Sequence, residues 1–267
     1  MGKNINFDNH IHAGIMAENS RAEEFIKIAI DKGLSEIGIT DHAPFPQFRA
    51  GDRIPVGQTA AYCRRVRELA HKYRDRIDIR LGIEMDYHPS LTAQIEEMLD
   101  EGDFDFVIGS SHLHIPCMLE RKLSELSAQE YVDLSLENNL KAVESGYFDV
   151  IAHLDMYRWV IEKQERFKLR GTEYVLDEGM LCKLFSEMAK RGTALEINTH
   201  RIGGGVSLIY PDAEIMKIAA KYPIYYSFGS DAHTPGQVGH GVDAVSSLAT
   251  FAHCLDNFAD LSGRARK

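Results

Sequence analysis

The sequence predicts an α/β fold in which seven parallel strands alternate with helices around a barrel-like core. Three observations predict it. Short runs rich in β-branched and aromatic residues recur along the chain, with helix-type segments between them. Each of those runs ends in histidine, aspartate, glutamate or asparagine, the pattern of a site collected on one face of a parallel sheet. The length, 267 residues, matches the roughly 250 that one β/α barrel commonly uses, so the whole chain, 1–267, reads as one domain.

The predicted strands cover residues 5–12, 36–42, 77–87, 106–112, 150–155, 194–200 and 224–233. Between the first two, Ser20-Arg-Ala-Glu23 has the spacing of a capping box and opens a helix over 25–32 that stops at Gly33. Ser127-Ala-Gln-Glu130 opens a second, running to about Gly146, and a third pattern over 173–191 stops at Gly192. Strand, helix and parallel strand in succession require right-handed crossovers, which bring all strand C-termini to one face. An open doubly wound sheet is the competing arrangement. It calls for a glycine-rich turn after the first strand, where this chain has His10-Ile-His12. The loops over 43–57 and 201–211 are long enough to form rims or lids.

Composition narrows the function. An apolar share of 44% and a charged share of 26% are those of an ordinary globular protein. No long apolar run and no signal-type N-terminus is present, which predicts a cytoplasmic location without membrane association. Cys63, Cys117, Cys182 and Cys254 are scattered without metal-type spacing and read as core thiols. A formal charge of −10 disfavours nonspecific binding to nucleic acid or anionic lipid. It does not disfavour a small anionic substrate beside bound cations, and the oligomeric state stays open.

The strand ends carry, in order, His10 and His12, Asp41 and His42, Glu84 and Asp86, His112 and His114, His153 and Asp155, Asn198 and His200, and Asp231 and His233. Eight of the twelve histidines therefore fall at strand ends, far more than chance placement gives. Residues i and i+2 of a strand point to the same side, so His10 and His12 can approach one ion together. Imidazoles mixed with carboxylates suit zinc, manganese or iron in an open, catalytic site.

The set His10-x-His12, Thr40-Asp41-His42, Gly82-Ile-Glu84, Gly109-Ser-Ser-His112, Ala152-His153-Leu-Asp155, Glu196-Ile-Asn198 and Gly229-Ser-Asp231-Ala-His233 resembles the PHP (polymerase and histidinol phosphatase) family over nearly the whole chain. Within it the chain is most similar to the stand-alone histidinol-phosphate phosphatases. The resemblance implies a distorted (β/α)7 barrel, PHP-type, with a cluster of about two to three divalent ions at the C-terminal ends of the strands. It assigns His10, His12, Glu84 and Asp231 to one ion. Glu84 bridges to a second, held also by His112 and His153. His42 and His233 hold the third, completed by Glu18 where the family usually has aspartate or histidine.

Three such ions bring about +6 and Glu84, Asp231 and Glu18 about −3, which a phosphate dianion and a bridging hydroxide neutralise. Arg158 and Arg201, each three residues past a strand-end polar group, are the expected phosphate contacts, with Asn198 as a further substrate-binding residue. Asp231, His200 and His114 are the candidate catalytic groups, the two histidines as alternatives for the general acid and His88 a weaker one. His71, His240 and His253 read as structural or solvent-facing.

The function expected on this basis is hydrolysis of L-histidinol phosphate to L-histidinol and phosphate. Another small phosphate ester or nucleotide is the alternative substrate. An amidohydrolase-type reaction is a more distant reading, because no lysine ends a strand and Glu84 occupies the bridging position. A metal-using scaffold module is the non-enzymatic reading; it predicts gaps in the ligand set.

Overall fold

The structure, a computed structural model, describes residues 5–48, 53–202 and 208–261. Parts of the two long loops expected as rims, residues 49–52 and 203–207, lie outside the described residues. The elements in chain order are β1 (Phe7–Ile11), α1 (Ala22–Asp31), β2 (Glu36–Ile39), α2 (Thr59–Tyr73), β3 (Asp78–Leu81), β4 (Glu84–Asp86), α3 (Thr92–Glu101), β5 (Ile108–Ser110), α4 (Ala128–Ser145) and β6 (Val150–Ile151). Then come α5 (Tyr157–Glu162), α6 (Gln164–Phe167), α7 (Glu178–Arg191), β7 (Ala194–Arg201), β8 (Leu208–Tyr210), α8 (Ala213–Ala219), β9 (Tyr226–Gly229) and α9 (Val242–Ser247).

Two sheets result. One has the order β1-β2-β3, all parallel. The other runs β4-β5-β6-β7-β8, with β9 also on β7, and is parallel except for the antiparallel pair β7-β8. Single parallel bridges link the sheets on both sides, Ile11 to Ala232 and His42 to Glu84. The predicted third strand is thus two strands. At Gly82 the chain changes partners, from β2 on one side to β5 on the other. A Cβ at Gly82 would overlap the ring of the buried Phe106 and the methyl of Thr40, so the changeover depends on a residue without a side chain. The strand β8 has no counterpart in the sequence reading.

Helix ends follow local chemistry. Ser127 and Glu130 form the predicted capping box, and Gly146, in the left-handed region, closes α4. The predicted box at Ser20 does not form. The helix begins at Ala22, and Ser20 Oγ accepts only a long bond, 3.4 Å, from the Ala22 N–H. The third helix starts later than predicted, at Glu178, because Asp177 accepts the N–H of Met180 and so caps it there. Apolar faces of α1, α2, α4 and α7 join Ile11, Ile37, Leu81, Ile83 and Ile197 in one large core cluster. Among the described residues no helix is long and apolar enough to cross a membrane.

Candidate metal centre

The polar residues picked out by their strand-end positions converge. His10 lies in β1 and His12 one residue past it; Asp41 and His42 follow β2; Glu84 and Asp86 lie in β4. His112 follows β5, His153 follows β6, Asn198 and His200 lie in β7, and Asp231 and His233 follow β9. Four overlapping groups each bring ligand atoms within 4.8 Å of one another: His10, His12 and Asp231; Glu84, His112 and His153; His12, His42 and His233; and His200, Asp231 and His233.

Glu84 stands between the first two groups. Its Oε1 is 3.1 Å from His153 Nε2 and 3.8 Å from His112 Nε2. Its Oε2 is 2.6 Å from His42 Nδ1, 3.4 Å from His12 Nε2 and 3.6 Å from His10 Nε2. Asp231 Oδ1 lies 3.2 Å from His12 Nε2 and 3.8 Å from His10 Nε2, and the two imidazole nitrogens are 3.0 Å apart. Ligand atoms held about 2.0–2.2 Å from a shared ion stand about 3–3.6 Å from one another, so this spacing fits a divalent cation.

The charges fit as well. Burial would raise the carboxyls of Glu84 and Asp231, but the histidines around them, His42 and His10 for Glu84 and His10 and His12 for Asp231, hold both well below the usual range. Burial pulls His10 down, yet Glu196, Asp231 and Glu84 raise it well above its ordinary value. Burial, with His42 and His233 alongside, pushes His12 the other way. The surrounding carboxylates therefore favour the charged form of His10. A divalent ion displaces such a proton when it binds.

A second layer orients the ligands. His10 Nδ1 is 2.6 Å from Glu196 Oε1, while Glu196 Oε2 accepts the His153 N–H at 2.9 Å and the Asn198 amide at 3.0 Å. His112 Nδ1 is 2.7 Å from Asp86 Oδ1, and Arg53 Nη1 reaches Asp86 Oδ2 at 2.9 Å. Despite burial, His112 and Arg53 hold Asp86 down at about 2. A carboxylate on the far nitrogen of a ligating histidine fixes the tautomer and raises the basicity of the other nitrogen. Asp41 accepts the N–H groups of Gly14 and Ile15 and pins the chain leaving β1. At Gly229 a Cβ would overlap both the Glu196 carboxylate and His10, so β9 can pass only as glycine. Among the described residues, two of the three non-glycine residues with positive φ are here, His153 at 25° and Asp231 at 51°, conformations that a site must enforce through its surroundings.

Other expected site residues lie outside the cluster or are engaged within the protein. Glu18 is exposed and belongs to none of the clustered groups. The reason is the Asp41 pin, after which a turn from Gly14 O to the Ala17 N–H leads the chain toward solvent. Asn198 is fully buried, and its amide is taken up by Glu196, Asp231 and the N–H of His200. His114 packs edge-on against Trp159 and Phe167, and burial together with His112 pushes it down to about 3, so at neutral pH it has no proton of an imidazolium to donate. Arg158 is tied through Nη1 to Asp155 and the Ile209 carbonyl, and Arg201 lies over the Trp159 ring at 5.1 Å. The ligand-orienting roles of Glu196 and Asp86 were missed in the sequence. Their signal was present as the alternations Glu196-x-Asn198 and Glu84-x-Asp86, whereas Arg53 left none.

A family model described as PHP domain matches residues 8–200. A protein of Deinococcus radiodurans named "probable histidinol-phosphatase" is 28% identical over 271 residues, covering 96% of this chain and 94% of the relative. The histidinol-phosphatase of Bacillus subtilis is 26% identical, covering 89% and 97%. The crystal structure of histidinol phosphate phosphatase from Lactococcus lactis, complexed with zinc, L-histidinol and phosphate, superposes with a TM-score of 0.65 at 19% identity, covering 93% of this chain and 95% of that one.

Proposed function

The chain belongs to the PHP domain family, and from that premise we propose that it is a metal-dependent phosphatase that hydrolyses L-histidinol phosphate to L-histidinol and phosphate. One observation carries the chemistry: the two oxygens of one buried carboxylate, that of Glu84, face two separate ligand sets, as a bridging ligand would. His10, His12 and Asp231 complete one set and His112 and His153 the other, with His42 and His233 beside them for a third ion. Bound there, zinc, manganese or iron lowers the pKa of water toward neutrality and neutralises charge on the phosphoryl group. Imidazole-rich surroundings favour zinc, which the Lactococcus lactis protein also holds.

The protein's own groups bind and orient. Arg158, anchored by Asp155 on one nitrogen, has guanidinium donors left for phosphoryl oxygens, and Arg201, stacked on Trp159, supplies a second fork. Burial raises the Asp155 carboxyl to about 6, while Arg158 and the Asp212 N–H act to keep it charged. A pocket of about 340 Å³ lined by Leu113, His114, Leu119, Glu120 and Phe167 has room for the organic half of the substrate. The ring of His114 connects it to the ligand His112 at 5.6 Å.

The sheets β1-β2-β3 and β4-β9 serve as one distorted barrel across the described residues, a reading supported by the two bridges between them and by the core that spans them. The test is phosphate release from a panel of phosphate monoesters by zinc-loaded protein. L-histidinol phosphate should be the preferred substrate by kcat/KM, and equal or better turnover of another ester would replace it.

A further inference from the structure

The two arginines assigned to the phosphoryl group are held in different ways. Arg158 is fixed by bonds to Asp155 Oδ2 and the Ile209 carbonyl. Among the described residues no carboxylate pairs with Arg201, whose guanidinium carbon lies 5.1 Å from the centroid of the Trp159 ring. We propose that Trp159 is the positioning residue of Arg201: its indole face sets the plane and the reach of the guanidinium that receives the phosphoryl group. The assignment rests on the phosphatase reading given above and extends it to a residue outside the metal centre.

The backbone explains why a platform is needed. Arg201 ends β7, where the register with β8 is irregular between Asn198 and Arg201, so strict alternation no longer dictates its direction. Holding so long a side chain in one geometry costs conformational entropy. A flat aromatic surface removes part of that freedom. Stacking engages the face of the guanidinium and leaves the N–H groups along its edge for oxygens.

The indole is itself immobilised. It projects from α5 and packs edge-on against His114 at 5.4 Å and Phe167 at 5.2 Å, and those two rings are 5.7 Å apart. His114 in turn lies 5.6 Å from His112, so the platform is referenced to the metal centre through one ring. Arg166 also approaches the indole, at 5.9 Å, but is nearer to Phe167, at 5.4 Å. Arg201 instead shares a neighbour with Arg158. Both oppose the rise that burial imposes on the Tyr210 hydroxyl, and Arg158 lies 5.9 Å from the centre of that ring.

Trp159 is the one tryptophan of the chain, so its emission reports on the contact directly. In zinc-loaded protein, inorganic phosphate should change that emission saturably over the concentrations at which it inhibits turnover, and Arg201→Ala should abolish the change. Trp159→Leu, apolar but without a π face, should raise KM and the phosphate inhibition constant about five- to tenfold and leave kcat within about twofold. Trp159→Phe should recover part of the loss, and Trp159→Leu combined with Arg201→Ala should be no weaker than Arg201→Ala alone. Thermal melts identify the folded variants; if Trp159→Leu does not fold, the emission of wild type and Arg201→Ala decides. Emission unmoved by inhibitory phosphate overturns the proposal, as does a phosphate response that persists in Arg201→Ala. Unchanged KM in folded Trp159→Leu, or penalties that add in the double variant, overturn it equally and leave the phosphatase reading standing. Wild type that releases phosphate from no monoester overturns that reading and the proposal with it.

Discussion

Replacing Glu196 by glutamine tests how far the outer carboxylates set the metal centre, because the substitution keeps the shape and removes only charge and one acceptor. Glu196 is 1% exposed and serves His10 at 2.6 Å, the His153 N–H at 2.9 Å and the Asn198 amide at 3.0 Å. A glutamine cannot serve all of them. With its oxygen toward His153 and Asn198, its NH2 meets His10 Nδ1, and His10 must then carry its proton on Nε2, the nitrogen the ion needs. With the amide flipped, the oxygen accepts from His10 and the NH2 opposes two buried donors, each costing roughly 1–3 kcal/mol. The first orientation should weaken zinc binding by about 10–100-fold, as loss of an outer-shell partner does, which is about 1.4–2.8 kcal/mol. The second should lower the melting temperature of the metal-free protein by several degrees, roughly 2–4 °C per kcal/mol for a chain of this size. Chelator competition for zinc and a thermal melt of the stripped protein read the two effects separately. Zinc affinity within twofold of wild type together with an unchanged melt would refute the orienting role.

His12→Ala and Asp231→Asn should each abolish phosphate release while far-ultraviolet circular dichroism stays native, since both lie at the site and outside the apolar core; turnover at the wild-type rate would falsify the ligand assignment. Chelation should likewise silence the enzyme and zinc or manganese should restore it, an outcome checked by full activity curves on verified metal-free protein. Arg158→Ala should lower kcat/KM by about 10²-fold, with lysine rescuing only partly for want of the planar fork. A loss below threefold would make it a structural arginine of α5 that ties Asp155 to β8. Because the surrounding carboxylates favour the charged form of His10, apparent zinc affinity should fall as pH is lowered, measured by competition titrations at stepped pH; a flat profile would contradict proton displacement.

The site was legible in the sequence to the extent that strands are regular. In β1 the alternation His10-x-His12 dictates that both rings leave the same side, and a parallel arrangement collects every strand end on one face. Loops obey no such period. Glu18 lies six residues past His12, and its direction is decided by Asp41, a residue on another strand, through bonds to Gly14 and Ile15. Arg53 reaches Asp86 from a loop with no repeating pattern, so only the folded chain brings it there. In the fold the same distinction holds. Residues 77–87 read as one strand because the apolar alternation continues unbroken through Gly82, and the change of partner there depends on the Phe106 ring, some twenty residues further along. The missed strand β8 is only Leu208–Tyr210, too short for alternation to separate it from a loop.

The charges of the cluster also balance one another. Seven imidazoles and two carboxylates crowd a space where most are under 10% exposed, an arrangement that repulsion among carboxylates would open if nothing countered it. The counter-charge is a proton: Glu196, Asp231 and Glu84 together keep His10 charged although burial opposes it. The carboxylate that would orient His10 for a metal is thus also a group that favours its charged form. Preorganisation of this kind lowers the reorganisation needed when the ion enters. It also places the site's demands on a few polar residues beyond the strand ends, leaving stability to the apolar layers beneath them.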